Sequence, residues 1–210
     1  GDAIMAVFGT PFPSADDTDN AIIVANHMIK VLRILNARRR AANDTPISIG
    51  IGISTGDLIS GNIGSPKRMD YTVIGDSVNL AARLESATKY YGVAVLASES
   101  TLIASNGQHQ FRELDLIVVK GKTKPVAVYE ALDHHDDTTF VNMDATRAAF
   151  AQGLAHYRQR DFASAHAKFE HARDLRPDDG PSLLYLERCE HYRDNPPPQD
   201  WAGVWEMTSK

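Results

Sequence analysis

Asn79 and Arg83 stand four residues apart in RMDYTVIGDSVNLAARLES, residues 68–86. On a helix that spacing puts an amide and a guanidinium on one face. Such a pair can orient a polar ligand and meet its negative charge. The plain alternative is a solvated polar stripe. Lys120 lies in VVKGK, where Lys122 and Lys124 crowd the same turn. A lysine there either holds an anion or is simply hydrated. Asp2 follows Gly1 in a pair that commonly turns a hairpin, so an ordinary turn aspartate competes with a cation ligand. Thr72 is β-branched and suits a strand whatever else it does. Glycines at 50, 52, 56, 61 and 64 superficially resemble a phosphate loop. Neither GxxxxGK[ST] nor a strand-to-helix GxGxxG is present, so tight turns and close packing in a sheet explain them better.

Other chemistries are excluded by composition. The net charge is −5 and the pI about 5.9, so no basic excess exists to bind nucleic acid. Cys189 is the only cysteine, which removes intrachain disulfides and Cys/His metal clusters. No apolar run reaches the ~18 residues that span a bilayer, and no signal-peptide pattern opens the chain. A cytoplasmic segment is expected. With 43% hydrophobic and 23% charged residues, wholesale disorder is excluded. The 210 residues amount to roughly one and a half domains.

Among the elements that must hold these residues, Ala3–Phe8 reads as a buried strand. A helix capped by Asp16 or Asp17 runs to about Arg40, with Ile22, Ala25, Met28, Ile29, Leu32 and Leu35 at helical spacing. ISIGIGIST, from Ile47, is a strand whose glycines imply close backbone approach or a bulge. Strands follow at Leu58–Ile63 and Tyr71–Ile74, then a helix from Ser77 to about Tyr90. Val93–Leu96 is a strand, 99–105 a short helix, and Phe111–Val119 with Val126–Leu132 a closing hairpin. This order predicts an α+β sheet with helices on one face, of the split βαβ kind.

The segment around Asn79, together with GDAIMAVFG, GIGISTGDLISGNIG and VVKGKTKPVAVYEAL, resembles the class III nucleotidyl cyclases, the adenylate and guanylate cyclase catalytic domain of the bacterial and cyanobacterial type. The resemblance covers residues 1–133 and implies a ferredoxin-like cyclase fold, incomplete at its N-terminus. It implies that the ribose 3′-oxygen of ATP attacks the α-phosphate, with two Mg2+ or Mn2+ ions and pyrophosphate as leaving group. By motif match, Asp2 is the second metal aspartate, Asn79 orients the ribose and Arg83 stabilises the transition-state phosphate. Lys120 contacts the triphosphate. Thr72 reads the purine and favours adenine, whereas cysteine there is usual for guanine. The resemblance also implies a head-to-tail homodimer with sites shared between protomers. It places a first metal aspartate and a purine-reading lysine before Gly1, along with upstream regulatory domains. Little or no activity is therefore expected of these 210 residues alone. The competing readings are a guanylate cyclase and a non-catalytic interaction module.

The sequence changes character near residue 135. A linker is expected over 134–143, helices over 144–195, and a Pro/Trp tail over 196–210. Residues 146–179 match one tetratricopeptide repeat at Gly153, Tyr157, Ala165, Phe169, Ala172 and Pro177. His156 stands where an aromatic is common. One repeat buries its apolar face poorly by itself, so this hairpin is expected to pack on the first domain, another chain or further repeats, and to offer a protein partner a surface. His156, His166, His171 and His191 read as surface or packing residues. Trp201 and Trp205 read as hydrophobic docking residues.

Overall fold

The computed structural model describes residues 3–65, 68–118 and 125–204. Helix α1, Asp17–Ala41, buries Ile22, Ala25 and Ile29 of the apolar residues read at helical spacing, together with Asn26, whereas Met28 and Leu35 of the same series are exposed. Asp17 and Asp19 in its first turn and Arg38, Arg39 and Arg40 in its last complement the helix dipole. Strands β1 (Ile51–Ile53), β2 (Ile59–Ser65) and β3 (Arg68–Ile74) follow, then helix α2 (Asp76–Tyr91). Next come β4 (Val95–Ser98), α3 (Glu99–Ala104), β5 (Phe111–Ile117) and β6 (Val126–Ala131). Helices α4 (Met143–Arg158), α5 (Phe162–Leu175) and α6 (Gly180–Asp194) close the chain.

The main sheet has four strands in the order β1-β4-β6-β5. Strands β1 and β4 run parallel; the other pairs are antiparallel. Strands β2 and β3 form a separate antiparallel ribbon. The α+β architecture agrees with expectation, but helices cover both faces of the main sheet. The reason lies in the period-two pattern of its central strands. Val95 and Ala97 of β4 join Ile53, Ala131 and the buried side of α1. Leu96 joins Leu114, Val128 and the buried side of α2.

Two strand expectations need correction. Ala3–Phe8 forms no strand, and Ile4 is 86% exposed. No strand among the described residues pairs with it, and an apolar run without a ladder partner stays extended coil. ISIGIGIST is strand only at Ile51–Ile53, because the parallel register with β4 begins at Ile51 opposite Val95.

The C-terminal helices pack on the sheet rather than standing off it. Phe150, Tyr157, Phe169 and Tyr185 share one buried cluster with Leu84, Leu96 and Leu114. A Cβ at Gly153 would lie 2.7 Å from the Phe169 ring, so glycine sets the spacing of α4 and α5. The edge of β5 is covered: Arg147 donates to the Phe111 carbonyl at 2.8 Å and the Tyr185 hydroxyl to the Leu114 carbonyl at 2.7 Å. The segment between sheet and helices is well packed. His134 and Phe140 are buried, and the guanidiniums of Arg112 and Arg176 stand over the Phe140 ring. In the tail, Trp201 packs edge-on to Tyr157 and Tyr192, and Arg160 donates to the Pro198 carbonyl at 2.8 Å. Trp205 lies outside the described residues.

Candidate active site

The bed beneath α2 is made of glycine. A Cβ at Gly52 would collide with the Ala81 carbonyl and the Glu85 amide, and one at Gly50 with the Thr88 hydroxyl. The alternation in Ile49-Gly50-Ile51-Gly52-Ile53 thus has two purposes. The isoleucines pack toward α1, and the glycines let α2 rest directly on the strand. The close backbone approach inferred from the sequence is present here.

The start of α2 is held by the loop before β2. The Ser77 hydroxyl donates to the Asp57 carbonyl at 3.1 Å. A Cβ at Gly75 would lie 2.9 Å from that same carbonyl. Along α2, Leu80, Leu84, Ala87, Thr88 and Tyr91 are buried. Asn79 and Arg83 are exposed on the other side, one turn apart. Neither side chain bonds to another described residue, so both are available to a ligand. Thr72 sits half-buried on β3 opposite Gly61, two residues before the strand ends and the chain turns into α2.

The structure therefore unites three of the sequence-predicted residues on one continuous strand-turn-helix unit: Thr72, Asn79 and Arg83. Asp2 and Lys120 lie outside the described residues. Among the described residues no group of three His, Cys, Asp or Glu side chains could hold a metal ion. A groove between β5 and α4, lined by Glu113, Asp144, Arg147 and Arg158, contains none of the predicted site residues.

Sequence reasoning missed the lock on the far end of α2. The Tyr91 hydroxyl donates to Asp115 at 2.7 Å, and Arg188 of α6 donates to the same carboxylate oxygen at 2.8 Å. Burial, then the Asp115 charge, pushes the Tyr91 hydroxyl above its ordinary range. Burial works against the Arg188 charge, but the Asp115 carboxylate, Tyr185, the Tyr90 hydroxyl and Tyr91 together outweigh it and leave that pKa raised. Beside this lock, Arg112 bonds Glu130 through Nε at 2.9 Å and Asp179 through Nη1 at 2.9 Å. Asp179 also caps α6, accepting from the Ser182 amide at 3.1 Å. A signal existed in FRELDLI, where charged residues interrupt a strand otherwise suited to burial.

Comparison with known proteins bears on what this unit is. Residues 1–132 match the model of the adenylate and guanylate cyclase catalytic domain. The terminal-differentiation-specific adenylate cyclase of Dictyostelium discoideum is 32% identical over 193 residues, covering 90% of this chain and 9% of that protein. An adenylate cyclase of Anabaena cylindrica is 38% identical over 137 residues, 62% of this chain and 26% of the relative. The chain thus spans a small part of the curated relatives it matches. Among solved structures, the adenylyl cyclase CyaB from P. aeruginosa has a TM-score of 0.50 at 34% identity, covering 62% of this chain and 67% of that one. The guanylyl cyclase Cya2 has a TM-score of 0.50 at 33% identity, covering 59% and 62%. With the family model spanning the strand-turn-helix unit that presents Thr72, Asn79 and Arg83, the chain belongs to the adenylate and guanylate cyclase catalytic-domain family.

Proposed function

We propose that this chain is the catalytic portion of an adenylate cyclase, which converts ATP to 3′,5′-cyclic AMP and pyrophosphate in intracellular signalling. The observation that carries this reading is the pair Asn79 and Arg83, exposed one turn apart on a helix seated on glycine. In the reaction the ribose 3′-oxygen bonds to the α-phosphorus, the bond to the β-phosphate oxygen breaks, and the 3′-hydroxyl proton leaves. Asn79 hydrogen-bonds the ribose and orients its 3′-oxygen. Arg83 meets the negative charge that grows on the α-phosphate oxygens. A guanidinium suits this task because its donors match phosphate oxygens in pairs. Thr72 contacts the adenine, and Lys120 the triphosphate. Asp2 is the proposed ligand of Mg2+ or Mn2+, which in this family's chemistry neutralises phosphate charge and activates the attacking oxygen. No described cluster assembles that metal site.

The exposure of Asn79 and Arg83 supports a site completed by a second copy, arranged head to tail. We further read α4 and α5 as a tetratricopeptide-like hairpin, supported by Gly153 against Phe169 and by fully buried Ala165 and Ala172. Its outer surface is the proposed contact for a protein partner. The guanylyl cyclase relative supports GTP as a second substrate reading. No helix among the described residues is long and apolar enough to cross a membrane. A cytoplasmic location is part of the same proposal.

Cyclic nucleotide formation from ATP or GTP with Mn2+ tests the reading, using this chain alone and within any longer polypeptide that contains it. Cyclic AMP from the longer form, with little from the chain alone, is the expected outcome. Unchanged turnover in Arg83→Ala would sink the assignment of Arg83.

A further inference from the structure

The two ends of α2 meet different parts of the molecule. Its first turns present Asn79 and Arg83, and its last residue lies against α6. A Cβ at Gly180, the first residue of α6, would stand 2.5 Å from the Tyr91 carbonyl and 3.0 Å from the Gly92 Cα. Gly92 ends α2 in the left-handed region at φ 68°, and its own Cβ would lie 3.2 Å from the Gly180 Cα. Two glycine backbones therefore touch where α2 stops and α6 starts.

A second contact fixes the same place. Arg188 and the Tyr91 hydroxyl share one oxygen of Asp115, all three side chains being buried. Arg188 also lies over the Tyr185 ring, 4.7 Å from its centroid. The end of α2, the middle of β5 and the second half of α6 are thus bound into one group.

Helix α2 has no slack to absorb a push. Gly50 and Gly52 already bring it to backbone contact with β1 and the loop before it. A close-packed interior transmits displacement rather than damping it. Movement at Tyr91 therefore carries up a continuous helix to Arg83, roughly 12 Å away at 1.5 Å per residue.

We infer that the C-terminal helices, through Gly180 and Arg188 of α6, position α2 and so set where Asn79 and Arg83 stand toward substrate. Gly180 and Arg188 are positioning residues: they touch α2 and its lock, and act on the reaction through them. This inference rests on the cyclase reading for its consequence in turnover, but its structural half stands without it. The similarity to the Dictyostelium cyclase agrees with it, since that match covers 90% of the chain and so reaches beyond the 132 residues of the family domain.

The test is a wedge. Gly180→Ala adds one methyl group against the Tyr91 carbonyl. Asp161→Ala removes the exposed cap of α5, away from α2, and is its control. Amide hydrogen exchange over residues 76–91 is followed in both, beside kcat and KM for ATP in the longest polypeptide that turns over. In Gly180→Ala, exchange through α2 is expected to rise and kcat to fall about tenfold, with KM within about twofold, since small misplacements cost rate steeply. In Asp161→Ala, exchange over α2 and both kinetic constants are expected to match the unsubstituted protein at temperatures where both are folded. Equal exchange over α2 in the two variants, or an unchanged kcat in Gly180→Ala, overturns the inference. Arg188→Lys keeps the charge on Asp115 and is expected to retain more kcat than Arg188→Met; equal loss in the two also counts against it. An unsubstituted protein without turnover, or Arg83→Ala with full turnover, overturns the cyclase reading instead, and exchange alone then decides the positioning.

Discussion

Arginine is used in opposite ways at the junction between sheet and helices and on the outer face of α2. At the junction, Arg112 and Arg188 are 4% and 2% exposed, and each is bonded to carboxylates. On α2, Arg83 is exposed with no bond to a described residue. A buried guanidinium must be paired because its desolvation is costly, and once paired it fixes geometry. An exposed one keeps its donors for a ligand. The same side chain thus acts as a rivet in one region and as a binding group in the other.

The sharpest way to break this contrast is to remove a rivet. Arg188→Met leaves the Asp115 carboxylate buried without its cation, and should cost about 3–5 kcal/mol of stability. Urea denaturation measures it. Arg83→Ala should do the reverse. Its denaturation midpoint should stay near that of the parent, while turnover falls on the order of 10²–10³-fold, the usual loss for one donor at a charge-developing centre. ATP binding, measured by calorimetry, should persist. A fall in stability comparable to that of Arg188→Met would erase the distinction.

An acid titration sharpens the contrast at the junction. His134 is buried, with Nδ1 2.9 Å from Asn26 Oδ1 and its carbonyl bonded by Arg33. Burial, then the charges of Arg33, Lys30 and Arg176, hold its pKa down at about 4, with Asp133 opposing. The folded state therefore binds the proton less readily than the unfolded chain. Stability present above the unfolded value of about 6.5 is lost as pH falls through about 4, on the order of 2 kcal/mol. His134→Gln should flatten this part of the profile, read as denaturation midpoints between pH 7 and 4. The smallest effect is expected at the α5 cap. Asp161 accepts from the Ser164 amide at 3.1 Å, so Asp161→Ala should cost about 1 kcal/mol.

How legible this was in the sequence depended on whether a pattern was local. The helix carrying Asn79 and Arg83 followed from spacing alone, because one face of α2 is apolar and the other is not. The glycines of ISIGIGIST announced close packing, although not which helix would fill the space. The fit of Gly153 against Phe169 was also readable. The junction was not, since Arg112, Asp115 and Arg188 are partners across long stretches of chain, and pairing of that kind leaves no periodicity. Ala3–Phe8 failed for a related reason: an apolar run states a preference, and a strand needs a neighbour. Asp2 and Lys120 lie outside the described residues, so their part of the site rests on motif alone.

Asp179 is a single side chain with two employers. It caps α6 from within its own turn and meets Arg112 of β5 from 67 residues away. Local and distant order thereby share one carboxylate, which ties the start of the last helix to the sheet. Melting of this protein should accordingly be one cooperative event, with the Trp201 environment and the backbone signal lost together. Excision of the helices would leave Asp115 of the sheet without the Arg188 cation that balances it.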